Sequence, residues 1–440
     1  MIVFEWPFTT EGSVGILLAA LCAAKPLYNL FLPRVSKGTS SNSSQEFRRF
    51  QWAYLSVYLL AALADWLQGP FVYALYRSYG YSIEEIGSLF IVGFLTSGVF
   101  GMFVGGLTDS FGRKKACLMY CVLYGLACLL YHFHDYYVLL IGRFLGGVST
   151  SILFSAFEAW MLHERTARGF NEASLNDTFA KSTLGNGSVA ILAGILSHFA
   201  AVQYGPIGPF ELSALSLAVC GLLITLLWNE NYGGGKTSSE ANGEGGMVSA
   251  IEEAFRVALA QPSVLLCGLV QSCFESAMYV FVFMWTPALP ESMDPGTVFT
   301  DFMIAMMIGS QVFEFITKRS IGLAGVLPYV LLVGAVALAV PCLTSSPILR
   351  LIAFSLFEGC CGVYFPTHYS VRSNIVPASI RATMFNLYRI PLNIVVAKIC
   401  TSVGDMDEAT VFATCSMLLL AGCLLALKNA SLLRVVDKKT

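Results

Sequence analysis

The sequence predicts an all-α polytopic membrane protein: two six-helix bundles preceded by one extra N-terminal transmembrane helix. Three observations predict it. Of 440 residues, 56% are hydrophobic and only 12% are charged, against about 25% charged in ordinary soluble domains. The apolar residues gather in runs long enough for the roughly 20 residues that span a bilayer core. The basic residues keep to alternate loops. So few charges would not cover a soluble monomer. A formal charge of −2 leaves no basic surface for nucleic acid, and the apolar content is too high for a disordered chain. Continuous runs such as VLPYVLLVGAVALAV at 326–340 lack the alternation of a transmembrane β-barrel.

Thirteen candidate spans follow in order, at 12–33, 51–76, 86–107, 116–132, 136–162, 177–200, 207–228, 263–288, 298–317, 323–343, 348–371, 381–402 and 409–428. The first is not a secretory signal, because Glu5 and Glu11 precede it and no basic residue does. Arg34, Lys37, Arg48 and Arg49 follow it, which puts that linker in the cytoplasm and the N-terminus outside. Every second loop after that repeats the bias. Arg113, Lys114 and Lys115, then Arg165 and Arg168, Lys236 and Arg256, Lys318 and Arg319, and Arg372 and Arg381 fall on the inner side. Glu84, Glu85, Glu291, Asp294, Asp405, Asp407 and Glu408 fall on the outer side, which carries little basic charge beyond Arg77 and Arg350. Thirteen spans then leave the C-terminal tail in the cytoplasm. Two polar stretches read as linkers: SKGTSSNSSQEF at 36–47 and the Gly/Ser-rich NYGGGKTSSEANGEGG at 231–246. The expected division is residues 1–50 for the extra helix and its linker, 51–228 and 262–428 for the bundles, a cytoplasmic linker at 229–261 and a tail at 429–440. Six plus six suits a transporter of two parallel repeats.

The loop Gly105-Gly106-Leu107-Thr108-Asp109-Ser110-Phe111-Gly112-Arg113-Lys114-Lys115 fits the G-xxx-D-xx-G-R-K-K signature of the major facilitator superfamily. Glycine permits the tight turn and close helix approach, and Asp109 can pair with a basic group or a helix end. The candidate gate is Gly105, Asp109, Gly112, Arg113, Lys114 and Lys115; the plainer reading is a basic loop that sets topology alone. Arg143, opening an R-xxx-G step in the fourth core helix, is a second, weaker feature, and its plainer reading is an arginine that reaches to interfacial water.

Charges at membrane depth are costly and point to function by default. The acids are Asp65, Glu158, Glu275 and Glu358; the cations are Arg143, Lys181 and Arg389. Each also has a structural reading as a salt bridge or interhelical hydrogen bond. Asp65 and Glu275 occupy similar places in the two halves, each followed by an aromatic-rich run. Other patterns carry less. Gly235-Lys236-Thr237 ends like a phosphate-binding loop, but Glu230 stands where its first glycine belongs. His132, His134 and Asp135 in a short outer loop make a poor metal site. The 13 cysteines read as packing residues. The sequence offers no cofactor motif, metal site or catalytic constellation, so an enzyme is not expected.

Longer stretches carry a closer resemblance: AALADWLQGPFVYALY at 61–76, GRFLGGVSTSILFSAFEAWMLHE at 142–164, FESAMYVFVFMWTPAL at 274–289, GVYFP at 362–366 and NLYRIPLN at 386–393. Together they resemble the molybdate-anion transporters of the major facilitator superfamily, over about residues 45–430, and the extra N-terminal helix also suits that family. The resemblance implies the major facilitator fold, alternating access, and uptake of molybdate or a related oxyanion at a membrane, most simply the plasma membrane. A tetrahedral dianion needs hydrogen-bond donors and positive charge to leave water. Arg389, Lys181 and Arg143 would supply charge; Asn186, Asn393, Tyr388, Gln68 and Trp285 would add neutral donors. Asp65, Glu275, Glu158 and Glu358 would carry protons with the substrate. The residues themselves leave open another solute, such as a sugar, peptide or organic ion, and a membrane sensor without turnover. They do not specify an oligomeric state.

Overall fold

Acidic side chains start many of the helices, and this gives one end of the molecule its negative character. In the computed structural model, which describes residues 41–233, 244–319, 322–377 and 380–437, Ser82 and Glu85 form a reciprocal cap on α3. Ser82 Oγ accepts from Glu85 N, and Ser82 N donates to Glu85 Oε2 at 2.8 Å. Asp135 caps α6 by accepting from the backbone of Tyr137 and Val138, and Asp294 caps α12 by accepting from Thr297 N at 2.7 Å. Carboxylates at helix N-termini satisfy free N–H groups and complement the helix dipole. We call this the acidic end, and the end holding loop 105–115 the basic end.

The helices are α1 (Ser41–Gln68), α2 (Val72–Ser78), α3 (Ile83–Phe100), α4 (Val104–Phe111), α5 (Arg113–Leu130), α6 (Tyr136–Leu153), α7 (Ala156–Ala167), α8 (Glu172–Tyr204), α9 (Gly208–Leu227), α10 (Glu244–Ala260), α11 (Pro262–Met284), α12 (Pro295–Lys318), α13 (Leu323–Leu343), α14 (Pro347–Ile375), α15 (Arg381–Ser402) and α16 (Glu408–Asp437). Among the described residues, nine helical stretches are long and apolar enough to cross a membrane, and one of them, 174–227, holds both α8 and α9. The helices α5 and α15 fall short on hydropathy because α5 opens with three basic residues and α15 carries Arg381, Arg389 and Lys398. The expected span at 12–33 lies outside the described residues.

The two halves are wired alike. In the first half α1 packs on α8 and α9, α5 on α6 and α9, and α3 on α6. In the second half the counterparts do the same: α11 packs on α15 and α16, α13 on α14 and α16, and α12 on α14. The contacts between halves obey the same two-fold relation, α3 against α15 and α8 against α12. This is an all-α major facilitator fold of two six-helix bundles.

The sequence-based boundaries need four adjustments. The second core span is not one helix: it breaks at 101–103 between α3 and α4, and the fourth breaks at 154–155 between α6 and α7. The first kinks through Gly69-Pro70-Phe71, where proline has no N–H to continue the α-helical ladder. The stretch expected to be linker is helical from Glu244, and α10 lays Ala254 and Ala258 against Val264, Met384 and Tyr388.

The closest approaches between the halves lie between the acidic end and the middle. A β-carbon on Gly194 would stand 2.8 Å from the Gly296 carbonyl, and one on Gly296 would stand 2.7 Å from the Gly194 carbonyl. Beside them His198 Nδ1 of α8 meets Asp294 Oδ2 at 2.9 Å. Gly87 abuts the Cys400 carbonyl, and Phe283 packs on both Tyr73 and Phe90. Deeper in, Gly187 meets Met307 and Gly101 meets Arg389.

Candidate transport site between the halves

Arg389 and Asn393 lie one turn apart on α15, so both face α3. Asn393 Nδ2 would be 3.0 Å from a β-carbon on Gly98, and Arg389 Nη1 would be 3.5 Å from one on Gly101. Two α3 glycines thus make room for two α15 donors from the other half. Pro391 between them removes an N–H from the α15 ladder. The neighbouring carbonyls are held from α11 instead, where Ser272 Oγ donates to Tyr388 O at 3.1 Å and Ser276 Oγ donates to Leu392 O at 3.5 Å. Glu275 sits between these serines in sequence and is half-buried. It lies within electrostatic reach of Arg389 and of Arg372 on α14. Tyr279, one turn on, is also beside Arg389, and its ring packs at a tilt on Phe94 of the first half with the centroids 4.7 Å apart.

Arg372 reads in the sequence as a loop base that sets topology. In the structure it belongs to α14, half-buried, with Nη1 donating to Gln271 Oε1 at 3.2 Å. Its guanidinium lies 3.9 Å from the Phe385 ring centroid, and its buried Nε has no hydrogen-bond partner. Behind it, His368 Nε2 is 3.2 Å from the Cys267 carbonyl, and Tyr364 stacks on Phe274 at 3.6 Å.

The first half contributes a second group. Trp66 Nε1 donates to Asn186 Oδ1 at 3.0 Å and packs on Phe299 across the interface. Asp65 accepts from the Tyr124 hydroxyl at 2.8 Å and is within reach of Arg143. Arg143 is clasped by α3: Nε donates to Leu89 O at 3.2 Å, the guanidinium covers Phe90, and it leaves no room for a β-carbon on Gly93. Glu158 is exposed.

Several expected substrate contacts serve as ties within a bundle. Gln68 Nε2 donates to Ser213 Oγ at 2.9 Å on α9. Lys181 pairs with Asp177 at 2.9 Å and donates to Gln51 at 2.7 Å. Trp285 is buried against Phe302, and the Tyr388 hydroxyl donates to Val264 O at 2.7 Å. Glu358 is buried on α14 with Oε2 lacking a hydrogen-bond partner. His132 contacts Glu211 at 3.2 Å, and His134 stacks on Tyr79. Asp301 of α12, not singled out in the sequence, is half-buried with no hydrogen bond or ion pair among the described residues.

The loop 105–115 is held by a strap at 228–233 that sequence reading treats as linker. Asp109 Oδ1 accepts from Arg113 Nη2 at 2.7 Å. Glu230 crowns the start of α5, accepting from Lys114 N at 2.9 Å and Lys115 N at 3.2 Å. Arg113 N donates to Asn231 O, and Gly233 N donates to Asp109 O at 2.9 Å. Trp228 stacks on Trp160 at 3.7 Å to anchor the strap. Gly112 has φ 113° and stands against the Glu230 carboxylate, so no other residue fits there. Beside the loop is a pocket of about 400 Å³ lined by Asp109, Arg113, Ser155, His163 and Thr166, among others. Replacing Glu230 by Ala removes the acceptor for two N–H groups at a helix start, a loss of about 1–2 kcal/mol. Limited proteolysis should then cut near 228–243 several-fold faster, with the rest of the chain protected.

A bilayer-spanning two-fold repeat with mixed charge between its halves defines a secondary transporter of the major facilitator type. A family model described as "Sugar-transporters, 12 TM" matches residues 13–360. Among curated relatives, the molybdate-anion transporter of Xenopus tropicalis is 34% identical over 97% of this chain and 95% of its own. The molybdate-anion transporters of Xenopus laevis (32%; 96% and 92%) and Danio rerio (34%; 88% and 86%) are similar. The chain belongs to the major facilitator superfamily and, within it, to the family of these molybdate-anion transporters. Solved structures share the fold: the nucleoside transporter NupG superposes with a TM-score of 0.66 over 88% of this chain and 99% of its own, at 11% identity. A peptide transporter gives 0.68 over 86% and 93%, at 13% identity.

Proposed function

We propose that this protein carries molybdate, or a closely related tetrahedral oxyanion, across a membrane by alternating access of its two halves. The observation that carries the reading is Arg389. It is a permanent cation with five donors, half-buried where α15 meets α3, with Asn393 one turn away. The names of the relatives support the substrate, since they match nearly the whole chain. The description of the family model favours a sugar instead. A neutral sugar would leave Arg389 without a charge partner beyond Glu275, at the cost of desolvating it; an oxyanion satisfies it.

In this reading 51–228 and 262–428 are the moving bodies, joined by the linker 229–261. Loop 105–115 and its strap at 228–233 gate the basic end, which faces the cytoplasm by the positive-inside rule. The N-terminus is then outside, the C-terminus inside, and the membrane is the plasma membrane. In that orientation the close contacts at the acidic end support an inward-facing state. Proton linkage falls to the acids that face the inter-half space.

Purified protein in vesicles should take up labelled molybdate, faster with an imposed pH gradient. Excess tungstate or sulfate should compete and a hexose should not. Competition by the hexose without molybdate flux would favour the sugar reading. Saturable molybdate binding with no flux would favour a sensor.

A further inference from the structure

The contact between α8 and α12 at the acidic end is built from two short pieces of sequence. Gly194 and His198 lie one turn apart on α8, and Asp294 and Gly296 open α12. Gly296 seats against the His198 backbone, where a β-carbon on it would stand 2.8 Å from His198 N. That seating carries the imidazole across the two halves, with Nδ1 2.9 Å from Asp294 Oδ2. The same oxygen accepts from Thr297 N at 2.7 Å and from Thr297 Oγ1 at 3.0 Å. A carboxylate in that position satisfies free N–H groups and is favoured by the helix dipole. Asp294 is therefore an anion fixed by its own half, whether or not the halves touch. His198 has no such tie. Its side chain is 13% exposed, and its buried Nδ1 makes no hydrogen bond among the described residues. What it gains from Asp294 is charge, not an aligned hydrogen bond.

Resting on the alternating-access reading above, we infer that His198 and Asp294 form a proton-binding latch: protonated His198 holds the acidic end shut against the Asp294 carboxylate, and loss of that proton frees the end to open. Histidine is the side chain that ordinarily changes charge near neutral pH. An imidazolium gains this anion only while the end is closed, so proton uptake and closure favour each other. The sign follows. Acid at that end favours the closed state, and rising pH releases it. Neither residue belongs to the Arg389 site, so the latch sets which end is open and not what is bound. The elements packed on α8 bring few other charges. The helix α9 brings Glu211, which meets His132 at 3.2 Å, and α1 brings Asp65, held by Tyr124. The helix α12 brings Asp301, two turns beyond Asp294, and the loop before it an exposed Glu291. The turns at 69–71 and 205–207 bring none, and α8 itself adds an exposed Tyr204. On α14, packed along α12, Arg350 pairs with Glu408. Elsewhere at this end the Glu84 carboxylate lies against Gly404 of the other half, so its own pH response has to be subtracted.

The test uses the full chain in lipid nanodiscs, where one buffer bathes both ends, with a cysteine at Tyr73, beside Phe283 of the other half. Maleimide labelling is read at that peptide by mass spectrometry. Each rate is divided by that of the His198→Gln variant in the same buffer, which cancels the pH dependence of the thiol and of Glu84. With His198 in place, labelling should be about five-fold slower than in His198→Gln at about pH 5.5, and within about two-fold of it at about pH 8.5. Asp294→Asn keeps a residue that can cap α12 and removes the charge. It should label as His198→Gln does at acid pH, and combining the two should add little more. Equal labelling with His198 and with Gln at acid pH overturns the inference. So does full acid protection surviving in Asp294→Asn. A wild type that carries no molybdate into vesicles overturns the transport reading instead, whatever the labelling shows, which sets that failure apart.

Discussion

Replacing Arg389 by Gln is expected to reduce molybdate uptake about a hundredfold or more while the protein remains folded and inserted. Removing one member of a desolvated, hydrogen-bonded charge pair costs about 2–5 kcal/mol, and every 1.4 kcal/mol is a factor of ten. The cost falls on the substrate-loaded state because Arg389 has little structural work of its own. The α15 backbone is fixed around it by Ser272, Ser276 and the Tyr388 hydroxyl, and Gly101 meets it only at ordinary contact distance. Arg389→Lys keeps the charge but loses the planar fork, so it should recover binding only in part. The measurement is initial uptake into vesicles at several molybdate concentrations, beside a thermal melt of each variant. Near-normal high-affinity uptake by Arg389→Gln would remove Arg389 from the site. A collapsed melting temperature would mean that the arginine holds the bundle together.

The fold was largely legible because membrane helices announce themselves through hydropathy and loop charge, both local properties. Less legible was what each helix does with its polar residues. Gln68 looks like a cavity donor beside Asp65, yet its partner Ser213 lies 145 residues away, and no local pattern encodes that meeting. Arg372 looks like a loop base because the apolar run fades near 371. The helix continues to Ile375, ahead of Pro377, and a proline that disfavours helix just before itself was the available signal. The same holds for α10. Gly and Ser dominate the composition up to 246, but Ala254, Val257 and Ala258 repeat at helical spacing. Glu230 illustrates the harder case: a linker residue caps a helix that starts over a hundred residues earlier. Spacing within a motif reveals the loop, not the strap that holds it.

The glycines between α8 and α12 carry the second large effect. Gly194 and Gly296 let the two backbones touch near the acidic end, and that contact exists only while this end is closed. A β-carbon on Gly194 meets the Gly296 carbonyl at 2.8 Å and crowds Thr300 as well. Backbone cannot yield as a flexible side chain can, so overpacking of about 1–3 kcal/mol is expected. In a two-state transporter this penalty applies to one state alone, so it shifts the balance toward the open acidic end by about 5- to 150-fold. Gly194→Leu should therefore slow uptake at least ten-fold without unfolding either bundle, because the clash lies between them. A cysteine at Tyr73, which packs on Phe283 of the other half, should react with a membrane-impermeant maleimide about ten-fold faster in that background. Gly194→Ala should give a smaller change of the same sign, and Gly296→Ala, approaching from the opposite side, should match it. Unchanged labelling in all three would mean that closure at the acidic end rests on the α3–α15 contact instead, where Gly87 meets the Cys400 carbonyl.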